Sequence, residues 1–281
     1  MLNLKVDIDP RSGFCFGVVK AIQRAEESIQ SHEEIYCLGQ IVHNDEEVRR
    51  LEQAGMKTIT HDQMTTLRNS TILIRAHGEP PETYEILRKN GNRIIDATCP
   101  IVLRLQDRVR RSHEQGEFVL IFGKHDHPEV TGLLGRLGGQ GLVFRNWEEL
   151  DLSKLPRKIT LYSQTTMGVD DLYAIRDKLE AAGFTVNLKD TVCRQVSGRK
   201  MDMQDFSRDH DVIVFVAGTE SSNGRLLFAA CLEVNPRSHK ISRVDEINRS
   251  WFNQGESVGI CGATSTPQWL MEKARDHVIR L

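Results

Sequence analysis

Residues 118–130 read FVLIFGKHDHPEV, an apolar run followed by a polar loop that contains His127. The apolar run predicts a buried strand over Phe118–Phe122, because a short continuous apolar segment bounded by glycine and polar residues is typical of a parallel sheet. Cys99 lies 28 residues before His127 (127 − 99). This order of cysteine, strand and polar loop occurs elsewhere in the chain.

The same order occurs three times at the same spacing. Each predicted strand is followed by a polar loop, and a cysteine stands 28 residues before the loop residue. The pairs are Cys15 and His43 (43 − 15), Cys99 and His127 (127 − 99), and Cys193 and Ser221 (221 − 193). A recurring spacing indicates that one structural unit is used several times.

A second polar loop follows a later strand in each third of the chain, at His77, Thr165 and Ser265. The predicted strands are Ile35–Leu38, Thr71–Arg75, Arg93–Asp96, Phe118–Phe122, Lys158–Tyr162, Val212–Val216 and Ser257–Ile260. The predicted helices are Val18–Gln30, Glu46–Gln53, Glu82–Lys89, Asp170–Ala181, Arg225–Val234 and Gln268–His277. Strands that alternate with helices favour parallel sheets, whose ligands bind at the carboxyl ends of the strands.

We therefore predict three pseudo-repeated α/β units arranged about a pseudo-threefold axis. The units are residues 15–98, 99–192 and 193–281, the last completed by the N-terminal segment 1–14. If the three units face inward, the polar loops and the three leading cysteines share one central cavity. Length alone predicts about two domains, so the repeat changes that count.

The composition excludes several classes of protein. Of 281 residues, 39% are hydrophobic, and 37 basic residues balance 39 acidic ones for a net charge of −2. This argues against a disordered chain and against a nucleic-acid binder. No apolar run approaches the roughly 20 residues of a membrane span, and Met1–Pro10 lacks a signal-peptide core. We expect a cytoplasmic protein with neither a nucleic acid nor a membrane as its partner.

The six cysteines form two groups. Cys37, Cys231 and Cys261 lie inside apolar runs and are interpreted as small core residues. The other three, Cys15, Cys99 and Cys193, each precede a helical pattern. A helix N-terminus stabilises a thiolate, so this group suits metal ligation or nucleophilic chemistry. Three thiolates can serve zinc or an iron–sulfur cluster, and three ligands leave one iron of a cube open to substrate.

The polar loops have side chains that can bind phosphate. Imidazole, hydroxyl and amide donors come from His43, His77, His127, Thr165, Ser221, Ser222, Asn223 and Ser265. The serines equally suit helix N-caps, and the two interpretations are compatible because a helix N-terminus binds anions. Nucleotide-binding glycine motifs are absent from the sequence, which favours a small phosphorylated metabolite. Glu129, in the same loop as His127, is either a surface charge or an acid with a raised pKa.

These motifs together resemble the IspH/LytB family, the 4-hydroxy-3-methylbut-2-enyl diphosphate reductases of the non-mevalonate isoprenoid pathway. The matching segments run the whole length of the chain. They are GFCFGV around Cys15, IVHN, AHG, DATCP at Cys99, HPEV, QTT at Thr165, Cys193, ESSN and the STP that begins at Ser265.

The resemblance implies a fold, a cofactor and a role for each residue. It implies a trefoil of three α/β units around a central [4Fe–4S] cluster held by Cys15, Cys99 and Cys193, with one iron lacking a protein ligand. It assigns the diphosphate of an allylic substrate to His43, His77, His127, Ser221, Ser222, Asn223 and Ser265. Thr165 would lie near the substrate hydroxyl, Glu129 would be the proton donor, and ferredoxin or flavodoxin would supply electrons. We predict Glu129, Thr165 and His127 as the catalytic residues.

Two other functions compete with this interpretation. One is a non-catalytic iron–sulfur sensor that binds a phosphorylated metabolite, but Glu129 and Thr165 in the expected cavity favour an enzyme. The other is a hydrolase that uses Cys15 as nucleophile with His43 as base, and it leaves the 28-residue repeat unexplained.

Overall fold

The computed structural model describes residues 1–31 and 34–281. The strands within these ranges are β1 (Lys5–Ile8), β2 (Ile35–Leu38), β3 (Met56–Ile59), β4 (Thr71–Ile74), β5 (Arg93–Asp96), β6 (Val119–Phe122), β7 (Leu142–Phe144), β8 (Lys158–Ser163), β9 (Thr185–Leu188), β10 (Val212–Val216), β11 (Ser238–Ile241) and β12 (Ser257–Gly262). The α-helices are α1 (Phe16–Gln30), α2 (Asp45–Gln53), α3 (His61–Thr66), α4 (Pro81–Lys89), α5 (Pro100–Glu114), α6 (Pro128–Gly135), α7 (Val169–Ala181), α8 (Arg194–Ser197), α9 (Arg199–Arg208), α10 (Ser222–Val234) and α11 (Gln268–Ile279).

The strands form three four-stranded parallel sheets that share one topology. Their orders are β3-β2-β4-β5, β7-β6-β8-β9 and β11-β10-β12-β1. In the first two sheets the earliest strand in the sequence lies second, and the connections from the two central strands lead in opposite directions. In the third sheet β10 takes that second position. The N-terminal strand β1 pairs in parallel with β12 and takes the place that β5 and β9 have in the other sheets. The predicted α/β class with three repeated units is therefore confirmed.

Burial on both faces explains why the central strand β10 is apolar throughout. Strand β10 reads VIVFV, and all five residues are buried. Val212, Val214 and Val216 pack with residues of α11, whereas Ile213 and Phe215 pack with residues of α10 on the other face. Successive side chains of a strand point to opposite faces, so each face contributes to a separate core.

Cys37, Cys231 and Cys261 are fully buried, as expected for core residues. Cys37 lies in β2, whereas Cys231 and Cys261 belong to the core on the α10 side of the third sheet. Burial raises the pKa of the Cys261 thiol well above its ordinary value. This surrounding favours the neutral thiol over a metal-binding thiolate.

The predicted strands coincide with β2, β4, β5, β6, β8, β10 and β12 to within two residues at each end. The sequence did not indicate β1, β3, β7, β9 and β11, which are short strands at the edges of their sheets. All of them except β7 include polar residues, which makes a strand harder to recognise. Helix α10 begins at Ser222, before the predicted Arg225, because Ser221 caps it.

The chain divides into two compact parts. The first contains Met1–His32, Gln40–Thr58 and Gly198–Leu281, and the second contains Glu33–Gly39 and Ile59–Ser197. The sheet built on β10 and β12 belongs to the first part, and the sheet built on β6 and β8 belongs to the second. The boundaries predicted for three repeated units stay a prediction. None of the helices described here is both long and apolar enough to cross a membrane.

Candidate active site

Ser221 and Ser265 follow the two central strands of the third sheet, β10 and β12, and their hydroxyl oxygens lie 3.1 Å apart. Both residues are buried. The Ser221 hydroxyl also accepts the backbone N–H of Gly224 at 3.0 Å, which makes it the N-cap of the 13-residue helix α10. The two interpretations of Ser221 thus hold together, since the hydroxyl caps the helix and stands at its positive end.

The side-chain amide of Asn223 forms hydrogen bonds through its oxygen but not through its nitrogen, among the residues that the structure describes. Its Oδ1 accepts the backbone N–H of Thr264 at 3.0 Å and the Thr264 hydroxyl at 2.8 Å. Its Nδ2 is buried and has no hydrogen-bond partner among the residues that the structure describes. A buried donor without a partner costs about 1–3 kcal/mol, so this amide is suited to an acceptor supplied by a ligand. Thr264, which fixes its orientation, was not singled out from the sequence.

The backbone that carries His43 passes against Gly218, within the first compact part. A Cβ at Gly218 would lie 2.2 Å from the carbonyl oxygen of His43 and 3.0 Å from the Cα of Asn44. The Asn44 side chain caps α2 by accepting the N–H of Glu47 at 3.1 Å. Glycine at position 218 therefore lets the His43 loop lie directly beside the loop that leads to Ser221.

In the second compact part, His77 and His127 make an edge-to-face ring contact. Their ring centroids are 5.3 Å apart and the ring planes are inclined by 86°. Nδ1 of His127 accepts the backbone N–H of Glu129 at 3.2 Å, so that His127 caps α6. This hydrogen bond requires a lone pair on Nδ1 and therefore assigns the proton of the neutral ring to Nε2. His127 can then donate a hydrogen bond from Nε2 to an anion.

Glu129 and Thr165 form a buried carboxyl–hydroxyl pair. The backbone N–H of Thr165 donates to Glu129 Oε1 at 2.7 Å, and the Thr165 hydroxyl lies 2.6 Å from Oε2. Burial raises the pKa of Glu129 from 4.5 to about 7, against the opposing effect of both hydrogen bonds to Thr165. Of the two roles open to Glu129, the surface charge is wrong, because Glu129 is only 2% exposed.

The three leading cysteines share one local geometry. Cys15 and Cys99 stand at the N-cap positions of the 15-residue helices α1 and α5, and Cys193 directly precedes α8. All three are partly exposed, unlike the core cysteines. Each backbone N–H donates to the carbonyl oxygen of a residue in the second polar loop: Cys15 to Thr264 at 3.1 Å, Cys99 to Ala76 at 3.0 Å and Cys193 to Thr165 at 2.8 Å.

These hydrogen bonds place Cys99 and Cys193 beside the second polar loop of the preceding unit, and Cys15 beside that of the third unit. Cys15 is bonded to the residue before Ser265, and Cys99 is bonded to the residue before His77. Cys193 is bonded to Thr165 itself. The sequence spacing could not reveal these hydrogen bonds, since they are formed by backbone atoms that every residue type has. Ser222 lies at the first position of α10, between Ser221 and Asn223.

Comparison with known proteins gives full-length matches. The sequence model of the family described as "LytB protein" matches residues 6–279. A Bacteroides thetaiotaomicron protein named 4-hydroxy-3-methylbut-2-enyl diphosphate reductase is 48% identical, with 98% of each chain covered. A Porphyromonas gingivalis protein of the same name is 45% identical, again with 98% of each chain covered.

Solved structures match as well. The structure of an (E)-4-hydroxy-3-methyl-but-2-enyl diphosphate reductase, described as the terminal enzyme of the non-mevalonate pathway, is 32% identical with a TM-score of 0.76. That match covers 99% of this chain and 100% of the other. The structure of the E-1-hydroxy-2-methyl-but-2-enyl-4-diphosphate reductase from Plasmodium falciparum has a TM-score of 0.85 at 25% identity, and it covers 96% of this chain and 86% of the other.

Proposed function

This chain belongs to the LytB family, and from that premise we propose that it reduces 4-hydroxy-3-methylbut-2-enyl diphosphate to isopentenyl and dimethylallyl diphosphate, the last step of the non-mevalonate isoprenoid pathway. The observation that carries this function is the buried pair of Glu129 and Thr165. Loss of a hydroxyl group as water needs a proton donor, and a carboxyl with a pKa of about 7 is matched to that task at neutral pH.

A [4Fe–4S] cluster is the proposed cofactor, and Cys15, Cys99 and Cys193 are its proposed ligands. The donor set fits, because these cysteines are partly exposed thiols and the first two cap long helices, whereas the remaining cysteines are enclosed in apolar cores. Such a cluster would pass the two electrons from the reduced donor one at a time, and an iron free of protein ligands would act as a Lewis acid for the substrate hydroxyl.

The proposed ligands of the substrate diphosphate act as hydrogen-bond donors. They are His43, His77, His127, Ser221, Ser222, Asn223 and Ser265. Support comes from the unpaired Nδ2 of Asn223, the Nε2 proton of His127 and the paired hydroxyls of Ser221 and Ser265 at the start of α10. Fixed donors that anchor the diphosphate would hold the reacting carbon in place, so that binding energy is used for orientation.

The hydrogen bonds of Thr165 determine where the catalytic proton lies. Oε1 of Glu129 must accept from the backbone N–H of Thr165, so the acid carries its proton on Oε2. That O–H then donates to the Thr165 hydroxyl oxygen, which leaves the Thr165 proton to be donated to the substrate hydroxyl. Two protons and two electrons are consumed overall: one proton leaves with the hydroxyl as water, and the other reaches either end of the allyl system, which gives the two products.

Ferredoxin or flavodoxin is the proposed electron donor, and the cytoplasm is the proposed compartment. Both accord with a chain whose cysteine set suits a reducing environment. We also retain residues 15–98, 99–192 and 193–281 as the proposed repeated units, in agreement with the assignment of one sheet to each.

The test is anaerobic reconstitution with iron and sulfide, followed by turnover of the allylic diphosphate with a reduced donor. We expect a brown protein that forms both products. Replacing Cys99 with Ser should prevent stable cluster assembly, whereas the matched change Cys37→Ser in the core should not. Loss of the cluster in Cys37→Ser would overturn the ligand assignment.

The same experiment separates the competing functions. A cluster-loaded protein that binds the substrate without turnover would indicate a sensor. A colourless protein with bound zinc and no reductase activity would refute the proposal, and release of phosphate without reductant would favour the hydrolase.

A further inference from the structure

His77 lies in a tight turn, with one charged residue on either side of it. The backbone N–H of Gly78 donates to the carbonyl oxygen of Arg75 at 3.0 Å, which closes a four-residue turn with His77 as its third residue. Gly78 has a φ of +72°, a left-handed conformation that favours glycine. The carbonyl of Ala76 in the same turn accepts the N–H of Cys99. A shift of this turn would therefore move His77 and the Cys99 backbone together.

A chain of charged groups spans the turn. Arg75 and Glu79, two residues before and after His77, are both buried, and Nη2 of Arg75 lies 3.7 Å from Oε1 of Glu79. The other carboxylate oxygen, Oε2, lies 2.7 Å from Nε2 of the half-exposed His61, the first residue of α3. The hydrogen bond to Glu79 raises the pKa of His61 above its ordinary value.

Gly39 leaves the space that the Arg75 guanidinium occupies. A Cβ at Gly39 would lie 2.4 Å from Nη1 and 2.6 Å from Cζ of Arg75. Burial lowers the pKa of Arg75, against the opposing effect of Glu79, so the carboxylate stabilises a cation that would otherwise be desolvated alone. An exposed ion pair contributes little to the stability of the fold. A buried ion pair with fixed geometry restricts the backbone that joins its two partners.

We propose that Arg75, Glu79 and His61 are positioning residues for the reaction, because their ion pairs across the turn fix His77 in the orientation that binds the substrate diphosphate. This inference rests on the proposed function through the role of His77. None of the three residues has to touch the substrate, since the turn between Arg75 and Glu79 transmits their effect.

The test is a double-mutant cycle on the cluster-loaded enzyme, with Glu79→Gln, His77→Ala and their combination. Glu79→Gln preserves the shape of the side chain and removes its charge. We expect it to weaken binding of inorganic diphosphate in calorimetry, and to raise KM, by roughly tenfold, equivalent to about 1.4 kcal/mol. We expect kcat to change far less, and in the His77→Ala background Glu79→Gln should weaken binding no further.

Two further variants keep the test decisive. Asp107→Asn removes the same charge from the exposed pairs of Asp107 with Arg110 and Arg111, and should leave diphosphate binding unchanged. If Glu79→Gln fails to fold, as judged by circular dichroism, the half-exposed His61→Gln replaces it in the cycle, with a smaller effect in the same direction.

The outcomes separate the two proposals. A change at Glu79 or His61 that weakens binding equally with and without His77 would overturn the positioning role, as would unchanged binding in the single variant. Unchanged diphosphate binding in His77→Ala alone would instead contradict the proposed role of His77 itself.

Discussion

Replacing Glu129 with Gln should stabilise the folded protein at high pH while it impairs turnover. The carboxyl has a pKa of 4.5 when exposed and about 7 when buried in the folded chain. Because the folded pKa is the higher one, the contribution of Glu129 to stability is complete below pH 4.5 and is lost as the pH rises through 7. At 1.36 kcal/mol for each pH unit, the loss amounts to about 3 kcal/mol.

Glutamine does not ionise and can retain both contacts with Thr165. Its Oε1 can accept the backbone N–H, and its amide can donate to the Thr165 hydroxyl oxygen, as the O–H of the protonated acid does. The stability of the variant relative to wild type should therefore increase by about 3 kcal/mol between low and high pH. For a chain of this size that corresponds to roughly 5–10 °C in Tm.

The assay is anaerobic thermal unfolding of both cluster-loaded proteins near pH 5 and near pH 8, together with infrared difference spectra of the protonated carboxyl group. Turnover of the variant should fall by ~10²-fold or more, since the proton donor is lost while the substrate ligands remain. A Tm difference that is the same at both pH values, or a carboxyl band that disappears well below pH 7, would refute the assignment of a buried acid with a raised pKa. Normal turnover would refute its role as donor.

Two other predictions concern the same loops. Thr165→Val removes a hydrogen bond that lowers the pKa of Glu129, so the pH at which kcat declines should move upward while the maximal kcat falls, as a pH–rate profile would show. Gly218→Ala places a methyl group 2.2 Å from the His43 carbonyl and should displace that loop, which raises KM with a smaller change in kcat. An unchanged pH profile in the first variant, or an unchanged KM in the second, would contradict these expectations.

The sequence predicted the central strands and the polar loops because both follow from local pattern. Five consecutive apolar residues in β10 are enough to indicate a strand buried on two faces. The pKa of Glu129 could not be predicted from the sequence. The residue follows a proline at a helix start, and only the folded structure buries its carboxyl away from water. Nor did the sequence indicate the pair of Arg75 and Glu79, because charged residues four apart are usually solvated and only their burial makes them notable.

The lengths of the intervening helices and strands explain why one spacing in the repeat is constant and the other is not. Between each cysteine and its first loop lie a helical segment and a single strand, so the distance of 28 residues is set by the lengths of regular elements. The second loop follows a longer segment of chain that includes an outer strand. It lies 62, 66 and 72 residues after the leading cysteine of its unit (77 − 15, 165 − 99 and 265 − 193).

Each second loop is joined by a main-chain hydrogen bond to the leading cysteine of the next unit, and that of the third unit is joined to Cys15. That variation is tolerated because the contact does not depend on the length of chain between a loop and the leading cysteine of its own unit. Insertions in the outer strands can thus accumulate at little energetic cost. The proposed cluster ligand and the adjacent polar loop nevertheless keep the same relation in all three repeats.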